Sequence, residues 1–202
     1  MIAAAEEKKE LRRALAAASG ALGGDYIAAS DDAIYERLAA MPEFLSAERI
    51  LFYYSVNREP DTLRAVERAL RLGKTVCLPE SLPGGIMNAR RVGGLGELVP
   101  ARYGIPAPPE GAVLVSPEEL DLIIVPAAAF DGSGRRLGRG GGYYDRYLPR
   151  SAALKIGLSR DALVLDSVPA EDFDARVDCL VTDKRVLRRL IARIRAEAGD
   201  GH

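Results

Sequence analysis

The sequence has a single histidine, and it is the last residue, His202. That scarcity removes whole classes of chemistry. A Ser-His-Asp triad, a Cys-His nucleophile pair and a histidine-ligated zinc site all draw on a side chain this chain does not supply. Cysteine is almost as scarce: Cys77 and Cys179 stand far apart, each in a predicted strand. They suit buried apolar thiols in a reducing compartment rather than a disulfide or a metal pair. An excess of positive charge is also missing. Lys plus Arg number 28 against 29 Asp plus Glu, a net charge of −1, which argues against a general nucleic-acid binder but leaves room for a local basic pocket. No apolar run reaches the ~18 residues of a membrane span, and the N-terminus has no apolar signal-peptide core. These absences predict a soluble, cytoplasmic protein. Its chemistry must rest on Lys, Arg, Asp, Glu, Tyr, backbone dipoles and a hard, oxygen-loving cation.

What is present is enough for one medium domain: 202 residues, of which 48% are hydrophobic, so the chain can build a core. Residues 6–18 (EEKKELRRALAAA) predict a helix, stopped by Gly20, Gly23 and Gly24. Ser30 before Asp31 and Asp32 reads as an N-cap and predicts a second helix from Asp31 to Ala40. A strand over 49–55, a helix from Asp61 to Leu72 ended by Gly73, and a short strand from Thr75 to Leu78 form a βαβ unit with a parallel pair. The Gly- and Pro-rich stretch 80–118 predicts a strand near Ile86–Val92 and a turn at Tyr103–Pro109. Leu120 to Val125 suits a buried strand, with further strands at Leu154–Leu158 and Val177–Thr182. Lys184 to Ala198 reads as a closing basic amphipathic helix. The pattern is one α/β domain, three layers deep, with ligands at the carboxyl ends of its strands.

The stretch with the most chemical content is PAAAFDGSGRRLGRGGGYYDRYL at 126–148. It fits neither the P-loop nor the dinucleotide fingerprint. A bare Gly-rich run is often a flexible connector. Here, however, the glycines lie between Arg135, Arg136 and Arg139 on one side and Tyr143, Tyr144 and Asp145 on the other, before a helix expected to start near Gly142. Glycines admit an anion close to the backbone, and arginines add charge and forked donors. The segment therefore reads as a phosphate cradle, with Asp145 placed to hold an accompanying cation.

Other candidates have two readings each. Lys8 and Arg12, four residues apart on one helical face, either form a solvated basic face or reach the same phosphates. Tyr54 and Glu59 follow a predicted parallel strand, and are either core and helix cap or an aromatic–carboxylate pair for a flat heterocycle with amino donors. The four carboxylates of PAEDFDARVD are loop solvation individually; one of them with Asp145 would suit Mg²⁺.

Together these segments resemble the 5-formyltetrahydrofolate cyclo-ligase family, also called methenyltetrahydrofolate synthetases. The likeness runs from KKELR at 8–12 to VDCLVTD at 177–183. FDGSGRRLGRGGGYYDR is its most specific part, and YYSVNREPDT, GKTVCLP, YGIPAP, LDLIIVP and VPAEDFDARVD follow the family order. The resemblance implies an ATP- and Mg²⁺-dependent conversion of 5-formyltetrahydrofolate to 5,10-methenyltetrahydrofolate, with ADP and phosphate released. It implies that Lys8, Arg12, Arg136, Leu137, Gly138, Arg139, Gly140, Gly141, Gly142, Tyr143 and Tyr144 hold ATP, and that Asp145 and Asp174 hold Mg²⁺. Tyr54 and Glu59 would hold the folate head group. Arg139, Gly140, Gly141, Gly142 and Tyr143 would lie between the two substrates, with Arg139 the catalytic residue. The implied fold is a single three-layer α/β/α domain with a mostly parallel sheet, resembling the NagB/RpiA/CoA-transferase-like fold. The implied partners are small molecules only (ATP and a reduced folate, neither nucleic acid nor membrane), and the implied state is a monomer or weak homodimer.

The chain departs from the family pattern at four places. Arg160 and Leu163 replace a usual Phe-x-x-Gln, Phe173 stands where many members have His, Ala107 where Glu is common, and Gly141 where some have Lys. These departures carry a second reading, a non-catalytic nucleotide- or folate-binding relative with an altered folate pocket.

Overall fold

The computed structural model describes residues 2–169, 171 and 174–189. Three helices open the chain: α1 (Ile2–Ala21), α2 (Gly24–Ala40) and the short α3 (Pro42–Ser46), followed by strand β1 (Arg49–Leu51), helix α4 (Leu63–Arg71) and strands β2 (Thr75–Leu82) and β3 (Ile86–Val92). Then come the two-residue β4 (Leu114–Val115), β5 (Leu122–Val125), and a small hairpin of β6 (Ala129–Phe130) and β7 (Arg136–Leu137). The single-turn α5 (Tyr143–Tyr147) precedes β8 (Leu154–Leu158), β9 (Cys179–Val181) and β10 (Val186–Arg188).

The main sheet runs β10-β9-β8-β5-β1-β2-β3-β4. Its five inner strands, β9 through β2, are mutually parallel, and β3, β4 and β10 join antiparallel at the two edges. The central strand β5, LIIV, is buried at every position, as a parallel strand covered on both faces must be. Its side chains divide by period two. Leu122 and Ile124 join Ile34, Leu38, Phe44 and Val66 of the α2–α4 layer. Ile123 and Val125 face Phe130, Tyr147 and Leu148, where α5 and the β6–β7 hairpin form the opposite layer.

Several elements differ from sequence expectation. Helix α2 begins at Gly24, not at Ser30, because the Ser30 hydroxyl donates back to the Ile27 carbonyl inside the helix instead of capping one. Strand β1 stops at Leu51, and 52–55 continue without strand pairing. Strand β2 runs through Pro79 to Leu82. The Cys77 carbonyl faces β1, accepting from the Phe52 amide at 3.0 Å. Two residues on, Pro79 has no N–H to return the next parallel bond, to the Phe52 carbonyl, and the β1–β2 ladder ends there. The helix expected from Lys184 is absent over the described part. Thr182 Oγ1 accepts the Lys184 and Arg185 amides, folding a turn that brings β10 back along β9. Residues 190–198 of that expected helix lie outside the described residues.

Helix α1 packs through few apolar contacts. Leu15 is its one fully buried leucine, against Ala129, Leu137 and Val168. One such side chain is worth about 1.5–3 kcal/mol, little for a helix of this length. Polar ties do the rest: Lys8, Arg12 and, from outside the helix, Arg58, whose guanidinium accepts no bond but donates to the Ser19 and Leu22 carbonyls at 2.9 and 2.8 Å. No helix among the described residues is long and apolar enough to cross a membrane.

Candidate active site

The carboxyl ends of β1, β5 and β8 release the chain into loops that surround two neighbouring cavities, as expected for ligand sites in parallel sheets. The larger encloses about 560 Å³ and is walled by Tyr54, Met87, Tyr103, Tyr143, Tyr144 and Asp145. The smaller encloses about 400 Å³ between α1 and the end of β8, with Arg12, Leu15, Ser19, Arg160 and Leu163 on its walls. Three residues line both: Asn57, Glu59 and Arg139.

The Gly-rich loop reaches both cavities. Asp131 fixes its start: one oxygen accepts the Ser133 and Arg135 amides and the Ser133 hydroxyl, the other the Val168 amide at 2.8 Å. Burial works against that carboxylate, but these donors outweigh it and hold its pKa below the ordinary value. The loop ends at Gly142, whose φ of 67° is the left-handed conformation in which a side chain is strained. The helix that follows is only five residues long, so its dipole adds little to the arginines.

The arginines have definite partners. Arg136 is buried; its Nε donates to the Ala175 carbonyl at 3.1 Å and its Nη2 to Asp145 Oδ1 at 2.5 Å. Arg139 is half exposed and its Nη2 lies 2.7 Å from Glu59 Oε1. Arg12 Nε donates to the Gly138 carbonyl at 2.7 Å, so α1 is fastened to the loop itself. Lys8 does not share that target: its Nζ lies 2.7 Å from Asp174 Oδ2 and 3.0 Å from Glu171 Oε2. Burial disfavours the Lys8 charge, yet bonds to the two carboxylates raise its pKa overall. Asp174 moves the other way, because Lys8 and the Glu171 amide outweigh burial.

Glu59 is nearly buried, and its Oε2 accepts the Val56 amide at 3.0 Å, closing the turn that carries it. Burial pushes its carboxyl above the ordinary range, and neither that amide nor Arg139 fully offsets the push. Tyr54 stands on the wall of the larger cavity and packs against the core. Tyr143 donates to or accepts from the Tyr103 hydroxyl at 3.2 Å and reaches the Leu82 carbonyl. The Tyr144 hydroxyl is buried without a partner among the described residues, and burial drives its pKa well up. An unpaired buried hydroxyl on a cavity wall marks a place for a ligand's polar group. Asn57 and Tyr103, the two non-glycine residues with left-handed backbone among the described residues (φ 56° and 60°), both line the larger cavity.

The sequence motifs thus converge, with refinements. Asp145 and Asp174 each face a cation, Arg136 and Lys8, and Arg136 feels both charges. Among the described residues no group of three or more His, Cys, Asp or Glu stands ready to cage a metal. Arg160 and Leu163 line the smaller cavity, beside Arg12, not the cavity of Tyr54. Phe173 lies outside the described residues. Sequence reasoning missed Asn57, Met87 and Arg102 as wall residues; only Tyr103 was signalled, through the YGIPAP turn.

The sequence profile of the 5-formyltetrahydrofolate cyclo-ligase family matches residues 4–183. The chain belongs to that family. Among cyclo-ligase relatives, the 5-formyltetrahydrofolate cyclo-ligase of Mycolicibacterium smegmatis is 37% identical over 148 residues, covering 70% of this chain and 76% of the relative. That of Escherichia coli K12 is 33% identical over 156 residues, 74% of this chain and 86% of its own. The solved structure of the Aquifex aeolicus 5,10-methenyltetrahydrofolate synthetase superposes with a TM-score of 0.82 at 31% identity, over 96% of this chain and 99% of that one. The likeness to these cyclo-ligases therefore covers the sheet, both cavities and the Gly-rich loop.

Proposed function

We propose that this protein catalyses the ATP-dependent cyclisation of 5-formyltetrahydrofolate to 5,10-methenyltetrahydrofolate, releasing ADP and phosphate. The observation that carries this reading is the Arg139–Glu59 ion pair, which walls both cavities at once. A reaction that joins a phosphoryl group from one substrate to an oxygen of another needs two adjoining pockets with a cation at their boundary. ATP would occupy the smaller cavity, with Arg12 and Arg139 beside its phosphates, and its terminal phosphate would reach past Arg139 to the backbone of Gly138, Gly141 and Gly142, which lines the larger cavity. The folate head group would occupy the larger, between Tyr54, Tyr143 and Tyr144, with Glu59 accepting its amino and ring N–H groups.

In the reaction the formyl oxygen takes the γ-phosphoryl group and ADP leaves. The second folate nitrogen then attacks the activated carbon and gives up its proton to solvent or to the departing phosphate, and the C–O bond breaks as phosphate leaves. Arg139 would neutralise charge on the transferring group, and Arg136 and Lys8 would hold Asp145 and Asp174 in place. None of this asks for a histidine. Asp145 and Asp174 would also hold Mg²⁺, which takes one or two protein carboxylates plus phosphate oxygens and water. It supplies charge neutralisation on the phosphates when bound.

The test is product formation. Methenyl product, followed by its near-ultraviolet absorbance, should appear only when ATP, Mg²⁺ and 5-formyltetrahydrofolate are supplied together. Asp145→Asn should remove turnover at limiting Mg²⁺ while leaving the fold intact. No product at high protein concentration would sink the reading, and tight ATP binding without product would favour the non-catalytic relative.

A further inference from the structure

Arg160 is the largest side chain wholly removed from solvent among the described residues. Its Nη2 lies 2.6 Å from Asp31 Oδ1, and its Nη1 donates to the Arg58 carbonyl at 2.6 Å. Taking a guanidinium wholly out of water against a carboxylate that keeps about 21% of its exposure carries a desolvation cost that their attraction barely repays. An apolar side chain would fill the same space without that cost. Such a pair is poor at stabilising a fold and well suited to fixing a geometry.

The geometry it fixes is specific. Arg160 holds the carbonyl of Arg58, the residue directly before Glu59. Asp31, the other half of the pair, accepts the Asp61 amide at 3.2 Å through the same Oδ1. One ion pair therefore grips both ends of the 58–61 stretch, and Glu59 lies between the two grips. The near end of that turn is further bent by Asn57 in its left-handed conformation and closed by the Glu59 side chain on the Val56 amide. Both terminal nitrogens of Arg160 are committed to these partners; Nε has none but is itself buried, so the action of Arg160 on a ligand is indirect. We propose that Arg160, through its pair with Asp31, is a positioning residue that holds Glu59 at the boundary of the two cavities. This rests on the proposed reaction, in which Glu59 meets the folate head group and Arg139 the transferring phosphate.

The experiment is a double-mutant cycle on methenyl formation, using the full chain with ATP, Mg²⁺ and 5-formyltetrahydrofolate. Arg160→Gln should lower kcat/KM by about 100-fold, the scale of a misplaced site group. Arg160→Lys, which can reach one partner, should recover part of that loss. In a Glu59→Gln background the further loss from Arg160→Gln should shrink to about 3-fold or less, because the group it positions is gone. Losses that multiply fully in the double variant, in proteins whose thermal unfolding shows them folded, would overturn the assignment. Should Arg160→Gln fail to fold, Asp31→Asn and Arg160→Lys enter the same cycle with the same criterion. A wild type that forms no product would overturn the proposed reaction and this role with it; wild-type turnover with multiplying losses would overturn this role alone.

Discussion

Lys8 Nζ lies 2.7 Å from Asp174 Oδ2, which ties the first turns of the chain to a loop 166 residues later. The other end of α1 is held by Arg58, which lines the smaller cavity and donates to the Ser19 carbonyl in the last turn of the helix. Apolar packing contributes little to α1, so its docking depends on charge. That dependence sets how the protein responds to pH.

Asp174 titrates below the ordinary carboxylate value in the folded protein. The stability it contributes is thus present above the unfolded value, near pH 4, and is lost as pH falls through the lower folded value. Lys8 titrates above its ordinary value, so its contribution holds below pH ~10.5 and disappears as pH rises past the folded value. The thermal midpoint should decline at both extremes. Asp174→Asn should flatten the acid limb below about pH 4; an acid limb identical to wild type would remove this pair from the account.

Glu59 behaves oppositely, because burial raises its pKa. Its contribution to stability is fully present below the ordinary value and is lost as pH rises through the raised folded value, so at neutral pH its charge is a cost. Glu59→Gln should leave the thermal midpoint at pH 7 unchanged or raise it, while turnover falls by about 100-fold or more. A variant that is both less stable and fully active would contradict this placing of Glu59.

Gly134, in the turn between β6 and β7, has a φ of 81°, and an added Cβ would stand 2.4 Å from the Val177 carbonyl oxygen. The obstacle is the Val177 backbone, which cannot swing aside as the end of a side chain could. Gly134→Ala should cost about 2 kcal/mol or more in urea unfolding, through strain and the displaced 177 segment. A cost under about 0.5 kcal/mol, the range of ordinary surface changes, would show that the segment yields.

Both cysteines are buried and free, as their sequence setting predicts. Burial pushes the Cys77 thiol up to about 12 and that of Cys179 to about 11. Neither should react with a thiol-specific disulfide reagent in the native protein at pH 7.5, since the thiolate is the reactive form. Both should react once the chain is unfolded in urea. Rapid native labelling of either would mean that its strand opens locally.

Local signals made much of this structure legible from the chain. The LIIV run suits a strand covered on both faces and is one, and the Gly-Arg-Tyr-Asp segment, singled out by its composition, lies on the cavity walls. Where a pattern had a local competitor, the outcome was settled elsewhere. Ser30 looks like a cap, but its hydroxyl found a carbonyl within the helix. Lys184–Ala198 has helical periodicity, but over its described part the open edge of β9 offered a ladder to residues 186–188. Pairings across long spans of sequence left no trace in it. Glu59 and Arg139 are 80 positions apart, and Arg160 and Asp31 129 apart. Nothing near Arg160 distinguishes a buried clamp from a surface charge.

The ion pair between Arg139 and Glu59 gives the two cavities a shared door. On the proposed assignment, an anion that draws Arg139 to itself leaves Glu59 buried without its cation. A ligand that engages Glu59 through N–H donors likewise releases Arg139. The first arrival bears the work of parting them, and the second finds it done, so each must tighten the other's binding by the same factor. Such a molecule favours being empty or doubly filled. A lone nucleotide would sit loosely there and depart intact, so idle hydrolysis is suppressed by equilibrium alone.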